Sequence, residues 1–226
     1  MTTKQAHREL SRFALGLGLS ISESQQCQID SFAAELAAAN ARVNLVSRSD
    51  PATILLRHVA DGAAAAAVLI KEIRKPEPRI LDLGAGGGCI GMTIKIVWPE
   101  ARVTLMESSQ RKYRFLNAMA THSGLPGLSI TSHRAGEGKP PAGLLNFDAV
   151  LERALAPLAK SLQLALPLTA PTGLFLAFQS EVPDPEEARL KRALARHAAR
   201  LVKSIPYRLP AEKKDRHLVL FMRQGS

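Results

Sequence analysis

Residues 80–91, Ile-Leu-Asp-Leu-Gly-Ala-Gly-Gly-Gly-Cys-Ile-Gly, carry an apolar run straight into five glycines among eight residues. A helical pattern then continues to Trp98. Glycine permits positive φ and lets a ligand approach the backbone closely, while the helix that follows offers free N–H groups at its start. Glu107 stands 23 residues after Gly84, at the end of the next apolar run. A carboxylate there suits hydrogen bonds from ribose hydroxyls, as in nucleotide-binding doubly wound sheets. A bare tight turn would need neither the helix nor the acid, so the segment points to a nucleoside cofactor. A P-loop is excluded because no Gly-Lys-Ser/Thr follows the glycines. The third glycine of a dinucleotide fingerprint, counted from Gly84, falls on Cys89, which weakens an NAD-dependent oxidoreductase.

The rest of the chain divides around residues 71–79 (KEIRKPEPR), a segment with two prolines and alternating charge. Before it the sequence reads as helices. Ser22-x-x-Gln25 is a capping box ahead of the periodic set Ile29, Phe32, Ala33, Leu36, Ala37. Asp50-Pro51 supplies an N-cap and a first-turn proline for an alanine-rich helix reaching about Ile70. After the boundary, strand candidates at 79–83, 102–106, 128–131, 147–151, 174–178 and 217–222 alternate with helical stretches such as 110–122. Such alternation predicts an α/β fold, a parallel sheet with helices on both faces. The expected division is a helical extension over 1–75 and a cofactor-binding domain over 76–226. The longest uninterrupted apolar run, 63–70, is too short to span a bilayer. Two cysteines, Cys27 and Cys89, exclude a disulfide framework and a Cys-based zinc site, so no metal is expected, and they point to a reducing cytoplasmic compartment.

The glycine loop fits D-x-G-x-G-x-G through Asp82, Gly84, Gly86 and Gly88. This resembles the first motif of class I S-adenosylmethionine-dependent methyltransferases, a Rossmann-like sheet with an antiparallel last strand. Further segments resemble one family within that class, the bacterial enzymes that methylate guanine N7 in 16S ribosomal RNA, also called glucose-inhibited division protein B. The resemblance rests on Asn44-Leu45, Arg57-His58-x-x-Asp61, Glu107-Ser108, Arg111-Lys112-x-x-Phe115-Leu116 and His133-Arg134-Ala135-Gly136-Glu137. It continues through Phe147-Asp148, Arg153-Ala154-x-Ala156-Pro157-Leu158 and Arg216-His217-Leu218-Val219. It implies that Asp82 lies near the methionine end of S-adenosylmethionine, Glu107 holds the ribose, and Ala135 and Gly136 face the adenine. Arg153 is implied at the cofactor, with Cys89 behind the loop. The chain departs from the family pattern at Cys89-Ile90-Gly91, at Gly136 in place of an acid, and at Gln179-Ser180 in place of Lys-Gly.

Guanine N7 carries a lone pair and no proton, so its methylation needs orientation and no general base. The sequence accordingly lacks an Asn-Pro-Pro-aromatic motif for an exocyclic amine and a Pro-Cys nucleophile for a pyrimidine carbon. Arg153 follows a strand and should reach the C-terminal sheet edge, where ligands of open α/β sheets bind. Its alternative role is an ion pair with Glu152 or Asp148. His58 and Asp61, one helical turn apart, suit either substrate positioning or a buried hydrogen bond. His217 reads as structural.

The formal charge is +10. Residues 189–226 hold eleven Lys and Arg against Glu212 and Asp215, a local +9, so residues 1–188 contribute about +1. Arg189, Arg192, Arg196, Arg200 and Lys203 follow helical spacing over 186–203 and would occupy an arc of roughly 80°. A face with Leu190, Leu194, His197 and Leu201 lies about 120° away and would pack on the sheet. This predicts a docked helix presenting cations to RNA phosphate, with Arg216, Asn44 and His58 as further RNA candidates. Only ten aromatics are present, too few for recognition by stacked rings. The expected partner is therefore 16S ribosomal RNA or the small ribosomal subunit, met by a monomeric chain without a membrane. The competing readings are a methyltransferase of another RNA site or a small molecule, and a non-catalytic ribosome-binding protein with a relic cofactor pocket.

Overall fold

The computed structural model describes residues 2–47, 50–210 and 212–225. Helix α1 (Thr3–Gly16) and helix α2 (Glu23–Val43) each begin with a capping box, Thr2 with Gln5 and the expected Ser22 with Gln25. The Gln25 side chain also donates to the Ile96 carbonyl at 2.9 Å, so one cap anchors α2 to the body of the fold. Asn44 closes α2 in the left-handed region at φ 54°. Asp50 accepts from the Thr53 amide at 2.9 Å, and Pro51 opens α3 (Pro51–Thr53). A π-helical segment (Ile54–Val59) and α4 (Ala60–Glu72) continue the same helix without a break. This 22-residue run, 51–72, is apolar and long enough by composition to cross a membrane, unlike the shorter run 63–70. Its most apolar window is 78% buried within the protein, packed chiefly on the helix after the glycine loop.

The sheet has seven strands in the order β3-β2-β1-β4-β5-β7-β6. Strands β1 (Arg79–Leu83), β2 (Arg102–Met106), β3 (Leu128–Thr131), β4 (Phe147–Arg153) and β5 (Thr169–Gln179) pair in parallel. β7 (Arg216–Arg223) runs antiparallel between β5 and β6 (Ala199–Tyr207). The chain winds outward from β1 to β3, then returns to place β4 on the other side of β1. The switch point lies between β1 and β4, where the crevice of a doubly wound sheet opens. One sheet face meets α1, α2, α4, α5 (Cys89–Val97) and α6 (Gln110–Ser123) in a single apolar cluster. The other face is covered by α7 (Leu158–Ala165) and α8 (Ala188–Arg196), with Phe175 and Phe221 stacked at 5.9 Å.

The C-terminal segment differs from the helix expected over 186–203. α8 stops at Arg196, and Ala198 turns the chain at φ 46° into β6. Arg189, Arg192 and Arg196 lie on α8, whereas Arg200 and Lys203 lie on β6. Lys203 reaches across to Glu72 of α4, on the sheet face opposite α8. The predicted single stripe is thus split between two faces. Helical spacing in 199–207 is coincidental, because pairing with β7 rewards the extended backbone more than a lone helical extension would be rewarded. Pro206 is tolerated because β6 is the edge strand.

Close packing fixes the position of α5. A Cβ at Gly91 would stand 2.1 Å from Leu105 Cδ2 and 3.0 Å from Asp82 Oδ2. Gly91→Ala should therefore lower the unfolding free energy by about 1–3 kcal/mol, measured as a shift in urea midpoint at unchanged slope.

Candidate active site

The glycine loop is held from both sides before any ligand arrives. The amides of Gly84 and Ala85 donate to the Met106 carbonyl at 2.9 and 3.0 Å, fastening the end of β1 to the end of β2. Gly84, Gly86 and Gly88 all adopt positive φ (73°, 59° and 79°), a region side chains rarely occupy. The Gly86 amide donates to Glu107 Oε2 at 2.9 Å, and the Ser109 amide donates to Glu107 Oε1 at 2.7 Å. Glu107, only 8% exposed, is thereby oriented at the crevice rim. Asp82 is buried behind the loop and accepts the Gly91 amide at 2.8 Å, capping the first turn of α5. Burial pushes its carboxyl up to about 6, against the opposing pull of the Gly91 bond and the Arg153 charge. Cys89 is buried at the start of α5, and burial pushes its thiol up to about 12. It stays protonated and is no nucleophile.

A cavity of about 290 Å³ opens beside Gly84. Leu83, Met106, Ala135, Gly136, Leu155 and Leu164 give it apolar walls, with Ser108, His133 and Lys160 among the polar lining. Gly136 has φ 84°, and a Cβ there would stand 2.7 Å from Leu164 Cδ2. The glycine at this position thus leaves the wall to backbone and to Leu164.

Arg153 ends β4 two residues before Leu155, which lines this cavity. Its partner is neither Glu152 nor Asp148. Nη1 donates to Asp61 Oδ2 at 2.7 Å, and Nη2 lies 3.1 Å from His58 Nδ1. Asp148 instead binds Lys75 and the Arg79 amide. His58 and Asp61 do share one face, but a guanidinium stands between them. Asp61 is fully buried and also receives Arg216 Nη1 at 2.8 Å and the Tyr207 hydroxyl at 2.6 Å. Arg216 closes a fork on Glu212, which also pairs with Arg57. Burial and the Asp61 carboxylate hold the Tyr207 hydroxyl well above the usual phenol range. Ala154 follows in the left-handed region at φ 57°. Its turn sends Arg153 toward a second cavity of about 400 Å³ with Phe178, Gln179, Tyr207 and Arg216, while Leu155 covers Gly84. A non-glycine residue held in this conformation costs on the order of 1 kcal/mol.

The remaining predicted residues separate into two groups. Asn44 is exposed, and the adjoining Leu45 and Val46 pack 3.3–3.4 Å from where a Gly87 Cβ would stand. His58 and Arg216 belong to the Asp61 cluster at the same edge. Arg192, Arg196 and Arg200 lie toward the opposite edge, since α8 descends from the end of β5 and Arg200 pairs with Met222 near the end of antiparallel β7. His217 sits within β7, its Nδ1 3.3 Å from Ser204 Oγ. Spacing gave no sign of Tyr207 or Glu212, because their chain segment lies about 150 residues from Asp61; the Asp61 position itself was visible only as part of His-x-x-Asp. Among the described residues, no group of three or more His, Cys, Asp or Glu side chains could hold a metal ion.

Two measurements follow from these contacts. Asp61→Ala leaves two guanidinium groups without their buried partner and should cost about 3–5 kcal/mol of stability, against about 1 kcal/mol for Tyr207→Phe, both by urea denaturation. For Asp82 the folded carboxyl titrates near 6 and the unfolded one near 3.8. The folded protein therefore keeps a proton that the unfolded chain has already lost. Stability from this group is full below about pH 4 and falls as pH rises to about 6, by roughly 3 kcal/mol. Asp82→Asn, which can still accept the Gly91 amide, should flatten that fall relative to the parent.

Comparison with known proteins bears on the family and the fold. Residues 25–219 match the family model GidB, described as rRNA small subunit methyltransferase G. The ribosomal RNA small subunit methyltransferase G of Roseiflexus castenholzii is 34% identical over 203 residues, covering 89% of this chain and 85% of that protein. The enzyme of the same name from Rubrobacter xylanophilus is 34% identical, covering 96% of this chain and 84% of that one. Among solved structures, magnesium protoporphyrin IX methyltransferase from Synechocystis superposes with a TM-score of 0.59 at 12% identity, covering 90% of this chain and 98% of that one. At that identity the likeness speaks for the fold, a class I methyltransferase sheet. The family match over most of the length decides the rest: the chain belongs to the GidB family, the rRNA small subunit methyltransferases G.

Proposed function

We propose that the cleft between the glycine loop and Glu107 binds S-adenosylmethionine, and that the chain methylates N7 of a guanine in 16S ribosomal RNA. The observation that carries this reading is the lock between the Gly86 amide and Glu107 at the mouth of an apolar cavity at the topological switch point. The residues fit the cofactor. Left-handed glycines present a loop backbone free of side chains to the amino-acid end, Glu107 stands where ribose hydroxyls would reach it, and the Leu83, Met106, Ala135 and Gly136 wall suits adenine. Asp82 supports the loop from behind through the Gly91 amide. When bound, S-adenosylmethionine supplies an electrophilic methyl group on sulfur.

The protein's own part is orientation. Cys89 and Tyr207 both stay protonated, so neither acts as a nucleophile or base, and N7 needs neither. Arg153 is gripped by Asp61 and His58 and cannot swing freely. A donor aimed at N7 would occupy the lone pair that reacts. Arg153 therefore serves the base through O6 or through a flanking phosphate, as a positioning residue. The substrate is met as ribosomal RNA or as the small subunit, in the cytoplasm, by a monomer without metal.

Gly86→Asp tests the cofactor assignment. A Cβ at this position meets nothing closer than 3.9 Å, and aspartate tolerates the left-handed region. The variant should fold, yet its carboxylate would enter the cleft beside Glu107. Cofactor affinity by calorimetry should fall by at least about 100-fold, near 2.7 kcal/mol; unchanged affinity would sink the assignment. Tritiated methyl transfer to ribosomal RNA from cells lacking the protein, with the modified base mapped, tests the reaction. Label on adenine or cytosine would remove guanine N7 as the target.

A further inference from the structure

We infer that the groove between α2 and α6 is a docking surface for the single-stranded ribosomal RNA that flanks the target guanine. This rests on the function proposed above and adds a binding site for the same substrate. The groove encloses about 580 Å³, with Arg42, Arg111 and Arg114 along it and Phe115, Val43 and Ala118 in its apolar part. It adjoins the cofactor cleft. Arg111 opens α6 at the C-terminal edge of the sheet and donates to the Arg42 carbonyl, and two residues beyond Arg42 the chain reaches Asn44 and the Leu45 that abuts the glycine loop.

Charge in the groove is uncompensated. Among the described residues the only acid lining it is Glu35, which pairs with His122 at 2.8 Å. Among the described residues, Arg42, Arg111 and Arg114 form no ion pair with a carboxylate. Three like charges converging on one groove repel one another and favour an anion there. An apolar floor under guanidinium groups suits an unstacked base with its phosphate, more than an unbroken duplex backbone.

Several cations of the C-terminal segment are less available for this task. Lys191, Lys203 and Arg208 are paired with Glu186, Glu72 and Asp215, while Arg216 is held by Asp61 and Glu212. Arg192, Arg196 and Arg200 lie toward the sheet edge remote from the glycine loop.

The test compares Arg42→Glu/Arg114→Glu with Arg192→Gln/Arg196→Gln/Arg200→Gln, using a ribosomal RNA fragment around the mapped methylation site. Neither Arg42 nor Arg114 uses its side chain in a hydrogen bond among the described residues, so the first variant should fold, checked by its melting temperature. Its RNA affinity should drop at least 10-fold, and the slope of log affinity against log salt should shrink by about 1.4, at about 0.7 per lost contact. Cofactor affinity should match the parent. RNA affinity like the parent's, or a loss no larger than in the α8 and β6 variant, would overturn the groove. So would parental RNA binding combined with lost methylation of intact 30S particles, which would point to a protein partner. Methyl transfer by the parent protein judges the reaction separately, since the groove is judged on binding ratios alone.

Discussion

One buried carboxylate ties distant parts of this chain together at the C-terminal edge of the parallel strands. Asp61, on the helix that precedes the sheet, is fully buried and receives Arg153 from β4, Tyr207 from β6 and Arg216 from β7. Removing a carboxylate from water is costly and is offset only when both oxygens are fully bonded. Once it is buried, the N-terminal helices, the middle of the sheet and its last hairpin cannot shift independently. The π-helical segment 54–59 carries His58 and leads straight into Asp61, so both partners of Arg153 sit at this irregular stretch of helix. Such insertions in a helix are common at functional sites.

The glycine loop shows the same economy on a smaller scale. Its amides are fixed by Met106 and Glu107 while Asp82 caps the helix behind it. Loop, helix and acid therefore form one rigid unit, and a ligand entering it need not order the backbone. Preorganisation of this kind suits a reaction whose demand is alignment of N7 with a methyl group. It also explains why a buried acid such as Asp82, ionised only at a cost, is retained behind the loop.

Charge is distributed less simply than a count suggests. The C-terminal segment carries most of the excess, and acids outside it neutralise only part. Lys191 pairs with Glu186, Lys203 with Glu72, and Arg216 shares Asp61 with Arg153. Residues 1–188 are nearly neutral in sum but concentrate arginines along the groove between α2 and α6. Net charge of a segment says little about the field at one surface, because pairing depends on which elements face each other.

Strand positions, the glycine turn and the acid after β2 were legible in the chain because each depends on local spacing. Period-two apolar runs, a glycine cluster and a capping box state their geometry within a few residues. β6 was not legible. Its basic residues happen to follow helical spacing, and only pairing with β7 makes the extended form prevail. Arg153 could be placed at the sheet edge, but its partner could not be named, since Asp61 lies 92 residues away and nothing local distinguishes it from Glu152 or Asp148. The sequence by itself determined the cofactor fold and its family, through motifs whose chemistry is local. Tertiary structure alone decided which charges are spent on holding the protein together and which are left unpaired at the surface, because an ion pair forms between groups that folding brings together from distant parts of the chain.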